Sequence, residues 1–310
     1  MQTRVLPFCA EAIAEAARLI GEGAPVAVPT ETVYGLAADA TNARAVAAIY
    51  AAKGRPAFNP LIVHVPDLAA AERLATFDPL SRMLACAFWP GPLTIVVPLR
   101  PDAGIATLAV AGLPTIALRV PSHPAMRALL AATQLPLAAP SANASNMLSP
   151  TRAGHVARSL GGRIPLVIDG GASAMGLEST IVQVAGGTLR LLRPGPITAR
   201  ELGTVAGADP VASGEEAIVA PGQLRQHYAP AKPLRLHADE ARPGEWLIGF
   251  GRVPGDASLS PGGDLLEAAA RLFDLLHAAD LGPASSIAVA PIPDEGLGIA
   301  INDRLRRAAA

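Results

Sequence analysis

The sequence predicts an α/β protein: a mixed sheet flanked by helices, followed by a smaller second α/β unit. Three observations support this. Apolar runs of strand length, at 26–28, 61–65 and 115–120, end in proline or in polar loops. Between them lie stretches with helical spacing, such as Ala45, Ala48, Ile49 and Ala52 on one face. Past residue 233, strand-like and helical segments follow one another again, after a stretch with no periodicity.

Taken in order, 11–21 reads as a helix with Ile13, Ala16, Ala17 and Ile20 on one face, ended by Gly21 and Gly23. The strand at 26–28 stops at Pro29, and the loop 30–35 packs two threonines, a glutamate and a tyrosine into six residues. A helix over 42–52 runs into Lys53-Gly54-Arg55-Pro56, a basic corner suited to phosphate or carboxylate. The strand at 61–65 carries His64, which by itself reads as a core histidine. A helix at 78–88 breaks at Trp89-Pro90-Gly91-Pro92, and strands follow at 93–99 and 115–120. The second of these sets Arg119 among apolar neighbours, where a guanidinium needs an anionic partner.

A helix at 124–133 and a short strand at 137–139 lead to Pro140-Ser141-Ala142-Asn143, whose hydroxyl, amide and backbone N–H groups could cradle phosphate or simply form a turn. Strands are expected at 164–169, 181–184 and 189–192, the last ending in Arg193-Pro194-Gly195-Pro196. The expected division is a first domain over 1–204, a linker over 205–232 and a small Rossmann-like domain over 233–310. That last domain shows strands at 234–236, 246–250 and 286–290 and helices at 265–278 and 298–307. It has no Gly-x-Gly-x-x-Gly to mark a dinucleotide site.

Composition narrows the function. The 310 residues are 51% hydrophobic and 16% charged, with a mean hydropathy of +0.35 that comes largely from alanine. No uninterrupted apolar stretch nears the ~18 residues of a membrane span, and the amphipathic N-terminus does not resemble a secretory leader. Cys9 and Cys86 lie far apart, which fits neither a disulfide framework nor a zinc site and suggests a reducing cytoplasm. The net charge of −1 divides into +4 over 1–205 and −5 over 206–310. A mild positive excess suits a small anion better than a long nucleic-acid footprint, which argues against direct nucleic-acid binding.

Lys53-x-Arg55 together with Ser141-x-Asn143 resembles the signature of the YrdC-like threonylcarbamoyl-AMP synthases, in their long two-domain form. Dispersed stretches resemble that family in the same order: PTETVYGL at 29–36, NPLIVHV at 59–65, WPGPLT at 89–94, ALRVP at 117–121, APSAN at 139–143, GLEST at 176–180 and LLRPGP at 191–196. APGQLRQHYAP at 220–230 is similar to the family's interdomain linker, and GLGIAINDRLRRAA at 296–309 to the end of its Rossmann-like domain.

The resemblance implies a YrdC-like twisted mixed sheet. It also implies condensation of L-threonine, bicarbonate or CO2 and ATP to threonylcarbamoyl-AMP and pyrophosphate, with Mg²⁺ accompanying ATP. The product would serve the machinery that transfers threonylcarbamoyl to tRNA. By the same resemblance Lys53, Arg55, Ser141 and Asn143 form the catalytic tetrad, and Thr32, His64, Arg119 and Ser179 hold threonine. Asn59, Thr115, Ala139, Ser149, Arg193 and Tyr228 join the tetrad around ATP, with no metal ligand from the protein. His227 and Tyr228, with Arg225 nearby, would close over the cleft as a lid. Two rival readings are a structured-RNA-binding module of the same fold and a hydrogenase-maturation carbamoyltransferase. The second normally carries zinc-finger segments, which two distant cysteines cannot supply.

Overall fold

The computed structural model describes residues 2–56, 58–212 and 228–310. The first sheet begins with β1 (Arg4–Pro7), followed by α1 (Ala10–Gly21), β2 (Val26–Pro29), β3 (Tyr34–Asp39), α2 (Ala43–Lys53) and β4 (Ile62–His64). Next come α3 (Leu68–Leu74), α4 (Pro79–Phe88), β5 (Leu93–Pro98), β6 (Thr115–Arg119), α5 (Pro124–Thr133) and β7 (Leu137–Ala138). The domain continues with α6 (Ala153–Leu160), β8 (Leu166–Asp169), β9 (Thr180–Ala185), β10 (Thr188–Arg193), α7 (Ala199–Ala206) and β11 (Val211–Ala212). These strands form one sheet of mixed direction in the order β1-β8-β2-β3-β7-β4-β6-β5-β9-β10-β11.

Both faces of the sheet are covered. Ile13, Ala16 and Ile20 of α1 pack with Met126, Leu129 and Leu130 of α5 on one side. Val46 and Ile49 of α2, Leu84 of α4, Val156 of α6 and Leu202 of α7 pack on the other. A sheet buried on both faces needs continuous rather than alternating apolar strands, which is why VAVP and LTIVVP read as unbroken runs. Pro98 ends β5 rather than marking an edge, because β5 lies between β6 and β9.

Local signals fix the segments around the cleft. Asn42 caps α2 by accepting from the backbone of Arg44 and Ala45, and Gly54 ends it in the left-handed conformation at φ +61. That sharp exit turns Arg55 away from the helix axis. The loop expected over 30–35 is shorter than that, since Tyr34 and Gly35 already belong to β3 and pair with Pro29 and Val28. The Tyr34 hydroxyl donates to the Gly171 carbonyl at 2.7 Å and anchors this hairpin.

The second sheet contains β12 (Leu234–Arg235), β13 (Glu245–Gly249), β14 (Ala257–Ser258) and β15 (Ser286–Val289), with helices α8 (Leu265–Leu281) and α9 (Leu297–Ala308). Its order is β12-β15-β13-β14 and every pairing is parallel, in keeping with a small Rossmann-like unit. The expected boundary at 204 falls inside α7, and β11 then returns to pair with β10. The core of the second unit is shared with the first: Val33, Leu148 and Leu177 pack with Leu272, Phe273 and Ile301. The backbones nearly touch at Gly176, where an added Cβ would come within 2.3 Å of the Ala269 carbonyl oxygen. No helix of the described residues is long and apolar enough to cross a membrane.

Candidate active site

A cleft opens where β3, β4, β6 and the turn after β7 come together, with the buried Tyr228 among its lining residues. At one end stands Arg119, the last residue of β6, beside His64, the last residue of β4. Arg119 is only 3% exposed, and its ion pair is with Glu31 from the loop after β2, at 2.6 Å. Its Nη1 donates to the Thr32 hydroxyl at 2.9 Å and its Nε to the Gly91 carbonyl at 3.2 Å. The other Glu31 oxygen accepts from the backbone N–H groups of Ser122 and His123. Burial alone would raise the Glu31 pKa, but the Arg119 charge and these hydrogen bonds hold it below the usual range.

His64 is fully enclosed, and its Nδ1 has no hydrogen-bond partner. Burial, reinforced by the neighbouring Arg119 charge, pulls its pKa down to about 3. The ring is therefore neutral at physiological pH, and the residue lines the cleft. This is not the satisfied core histidine that the strand pattern suggested.

The other end of the cleft is cationic. Arg55 leaves the end of α2 and is tethered by donating to the carbonyls of Asn59 and Pro60, at 3.3 and 3.0 Å. Burial lowers its pKa to about 10, so it still carries its charge at neutral pH. Arg193, at the end of β10, donates to the Ser179 carbonyl through Nε at 3.0 Å and to the Ser179 hydroxyl through Nη2, also at 3.0 Å. The Ser179 hydroxyl also lies 2.8 Å from that of Thr94. The Lys53 ammonium donates to the backbone carbonyls of Ser141 and Asn143 beneath the turn. Burial first, and then the Arg55 charge, push its pKa well below the ordinary value.

Thr32, Arg55, His64, Arg119, Ala139, Ser141, Ser179, Arg193 and Tyr228 all line the cleft. Lys53, Asn143 and Ser149 stand behind that lining. Asn143 braces the turn by donating to the Met147 carbonyl at 2.7 Å. Asn59 precedes β4 and Thr115 begins β6, so both lie at the opposite end of these parallel strands from His64 and Arg119. The buried Asn59 Oδ1 has no hydrogen-bond partner. Tyr228 is buried and packs its ring against Phe273, with centroids 5.7 Å apart. Arg225 and His227, expected beside it in a lid, lie outside the described residues.

Two carboxylates had no assigned role from sequence: Glu31, behind the cleft lining, and Glu178, within it. Glu31 stood in view among the polar residues of its loop, and its partnership with Arg119 depends on a contact across 88 residues. Glu178 accepts from the Ser149 hydroxyl and pairs with Arg304 of α9 at 2.7 Å. Arg304 sits in an ordinary-looking basic helix end, and its spacing carries no signal of burial.

A covered mixed sheet with a cleft lined by Arg55 and Arg193 on one side and by the Glu31-paired Arg119 on the other is an α/β scaffold suited to anionic ligands. The chain matches a family model described as "Telomere recombination" (Sua5/YciO/YrdC) over residues 18–195, and one described as "Threonylcarbamoyl-AMP synthase, C-terminal domain" over 197–310. It is 42% identical to a threonylcarbamoyl-AMP synthase of Bacillus subtilis, over 96% of this chain and 92% of that one. It is 38% identical to the corresponding protein of Pyrococcus abyssi, over 95% and 93% of the two chains. The crystal structure of P. abyssi Sua5 complexed with L-threonine superposes with a TM-score of 0.89 at 36% identity, covering 100% of this chain and 98% of that one. The chain belongs to the threonylcarbamoyl-AMP synthase family.

Proposed function

We propose that the cleft condenses L-threonine, bicarbonate and ATP into threonylcarbamoyl-AMP, pyrophosphate and water (with CO2 in place of bicarbonate, a proton leaves instead of water), in the cytoplasm, for a tRNA-modifying assembly. The observation that carries this reading is the placing of a neutral histidine in one cleft with Arg119 at one end and Arg55 and Arg193 at the other. Arg119 suits an amino-acid carboxylate, and the hydroxyls of Thr32 and Ser179 suit the threonine hydroxyl and amine. Neutral His64 lines the same cleft and can accept a hydrogen bond from either group through an unprotonated ring nitrogen.

The threonine amine attacks the carbon species to give a carbamate. The carbamate oxygen then displaces pyrophosphate from the α-phosphate. No protein nucleophile is needed; holding the reactants in line provides much of the acceleration. Arg55 and Arg193 stabilise charge that develops on phosphate, while the Ser141–Asn143 turn, braced by Lys53, supplies donors at the same place. Glu31, behind the lining, and Glu178, within it, are each engaged by an arginine. Mg²⁺ would accordingly arrive as part of the substrate MgATP, held by phosphate oxygens and water.

Pyrophosphate release from ATP, measured with bicarbonate and each amino acid in turn, tests the reading. Release that depends on threonine is expected. Equal release without threonine, or with any amino acid, would sink it. The RNA-module alternative is not favoured, because the cleft charges point inward to a small site and are not spread along an open face.

A further inference from the structure

Thr94 is the one polar side chain of β5, and it is completely buried in a strand that lies between β6 and β9. Valine has nearly the same shape and would fit the apolar run of this strand, so a buried hydroxyl here needs a partner. Its hydrogen-bond partner among the described residues is the Ser179 hydroxyl, at 2.8 Å.

The direction of this bond follows from counting protons. A hydroxyl has one proton to give and two lone pairs to receive. The Ser179 Oγ already accepts from Nη2 of Arg193 at 3.0 Å. If Ser179 also donated to Thr94, the Thr94 proton would be buried with no acceptor among the described residues, a costly arrangement. If Thr94 donates instead, both lone pairs of Ser179 are used and its own proton is left for the cleft, which Ser179 lines.

Thr32, beside Arg119, has the opposite polarity. The Thr30 Oγ1 lies 2.6 Å from the Val33 carbonyl oxygen and 2.8 Å from the Thr32 Oγ1, and each of these short oxygen pairs needs a proton between its members. Thr30 has one proton and the carbonyl has none, so Thr30 donates to Val33 and Thr32 donates to Thr30. Nη1 of Arg119 donates to Thr32 at 2.9 Å, which leaves Thr32 one lone pair and no proton. Toward a ligand, then, Thr32 can only accept and Ser179 can only donate.

We propose that Thr94 is a positioning residue for the reaction: by donating to Ser179 it aims the Ser179 proton at an oxygen of the threonine substrate. This rests on the synthase reading given above and adds to it a residue outside the cleft lining. It also sorts the two hydroxyls, since an N–H or O–H of the substrate suits Thr32 and an oxygen lone pair suits Ser179.

The test uses the full chain and four variants: Thr94→Val, Thr94→Ser, Ser179→Ala and the Thr94→Val/Ser179→Ala double. The readouts are kcat and KM for threonine from pyrophosphate release, together with thermal melts. Thr94→Val removes the donor at nearly constant volume, so the Ser179 hydroxyl is no longer held in one orientation. The kcat/KM for threonine should then fall roughly fivefold or more. Thr94→Ser keeps the hydroxyl and should recover most of that loss. In the Ser179→Ala background Thr94→Val should add little, because the group it orients is gone. A merely structural role would lower the melting temperature and act equally in both backgrounds. A wild-type kcat/KM in a folded Thr94→Val, a serine variant no better than the valine one, or losses that multiply in the double variant overturn the proposal. If the valine variant does not fold, Thr94→Ala, which cannot overpack the site, takes its place with the same outcomes deciding. A failure of the synthase reading shows differently, as a wild-type protein with no threonine-dependent release, and removes this role with it.

Discussion

The Lys53 ammonium lies 2.5 Å from the Ser141 carbonyl oxygen and also donates to the carbonyl of Asn143. The lysine thus braces the turn that presents Ser141 to the cleft, while Arg55, two residues on, faces the cleft itself. The two cations should therefore fail differently. Lys53→Met leaves buried carbonyls unpaired and should cost about 2 kcal/mol of stability, along with turnover. Arg55→Met should lower turnover by about 10²-fold with a smaller loss of stability. Urea unfolding beside pyrophosphate release separates the two, and a Lys53→Met variant as stable as wild type would contradict the bracing role.

Glu31 neutralises Arg119 in the absence of ligand, and an incoming threonine carboxylate must share that guanidinium. Glu31→Gln should lower the unfolding free energy of the ligand-free protein by about 3 kcal/mol, as for a broken buried pair. L-Threonine should then raise the melting temperature more in the variant than in wild type, because it restores the missing carboxylate. A smaller threonine shift in the variant would show that Glu31 helps to bind the amino acid.

His64 predicts a pH dependence of stability. Its pKa is near 3 when folded and near the ordinary imidazole value of about 6.5 when unfolded. Between these values the unfolded chain binds a proton that the folded protein refuses, so stability falls as pH drops from about 6.5 toward 3. The full slope is about 1.4 kcal/mol per pH unit, and above the unfolded pKa this contribution is constant. His64→Asn should flatten the curve in that window relative to wild type. Parallel curves for the two proteins would place the proton elsewhere.

Selectivity follows from the hydroxyls that line the cleft, Thr32 beside Arg119 and Ser179 beside Arg193. Valine matches threonine in shape but leaves buried polar groups of the Thr32, His64 and Ser179 set unpaired, so it should be a far weaker substrate. Serine keeps the hydroxyl and lacks one methyl, which should cost about 1 kcal/mol. Competition assays with the three amino acids check the order. Valine competing as well as threonine would mean that the pocket reads shape alone.

Legibility in the sequence followed the range of the interactions involved. Helices with clear apolar spacing and strong ends, such as α2 between Asn42 and Gly54, were readable because their signals are local. The short α6 was hidden because no side chain caps it and its polar residues break the pattern. The helix α7 carried a visible signal that was passed over: Thr198 and Glu201 form a capping box in T-A-R-E. The family signature pointed to the residues of the cleft without saying which side chains face it. Lys53 and Arg55 look equivalent in sequence, and only the left-handed turn at Gly54 and the contact with the Ser141 turn separate their roles. Glu31–Arg119 and Glu178–Arg304 join residues 88 and 126 positions apart, beyond the reach of any local pattern.

Gly176 sets how stiffly the two sheets are joined. Where side chains meet across a junction, rotamer changes absorb a small rotation. Here a Cβ on Gly176 would lie 2.3 Å from the Ala269 carbonyl oxygen and 2.6 Å from that of Ala270, so backbone meets backbone with no compliant layer between. Ser179 is three residues further along the chain. At this one point, beside a junction otherwise made of packed side chains, a tilt of α8 would press directly on the backbone that leads to Ser179.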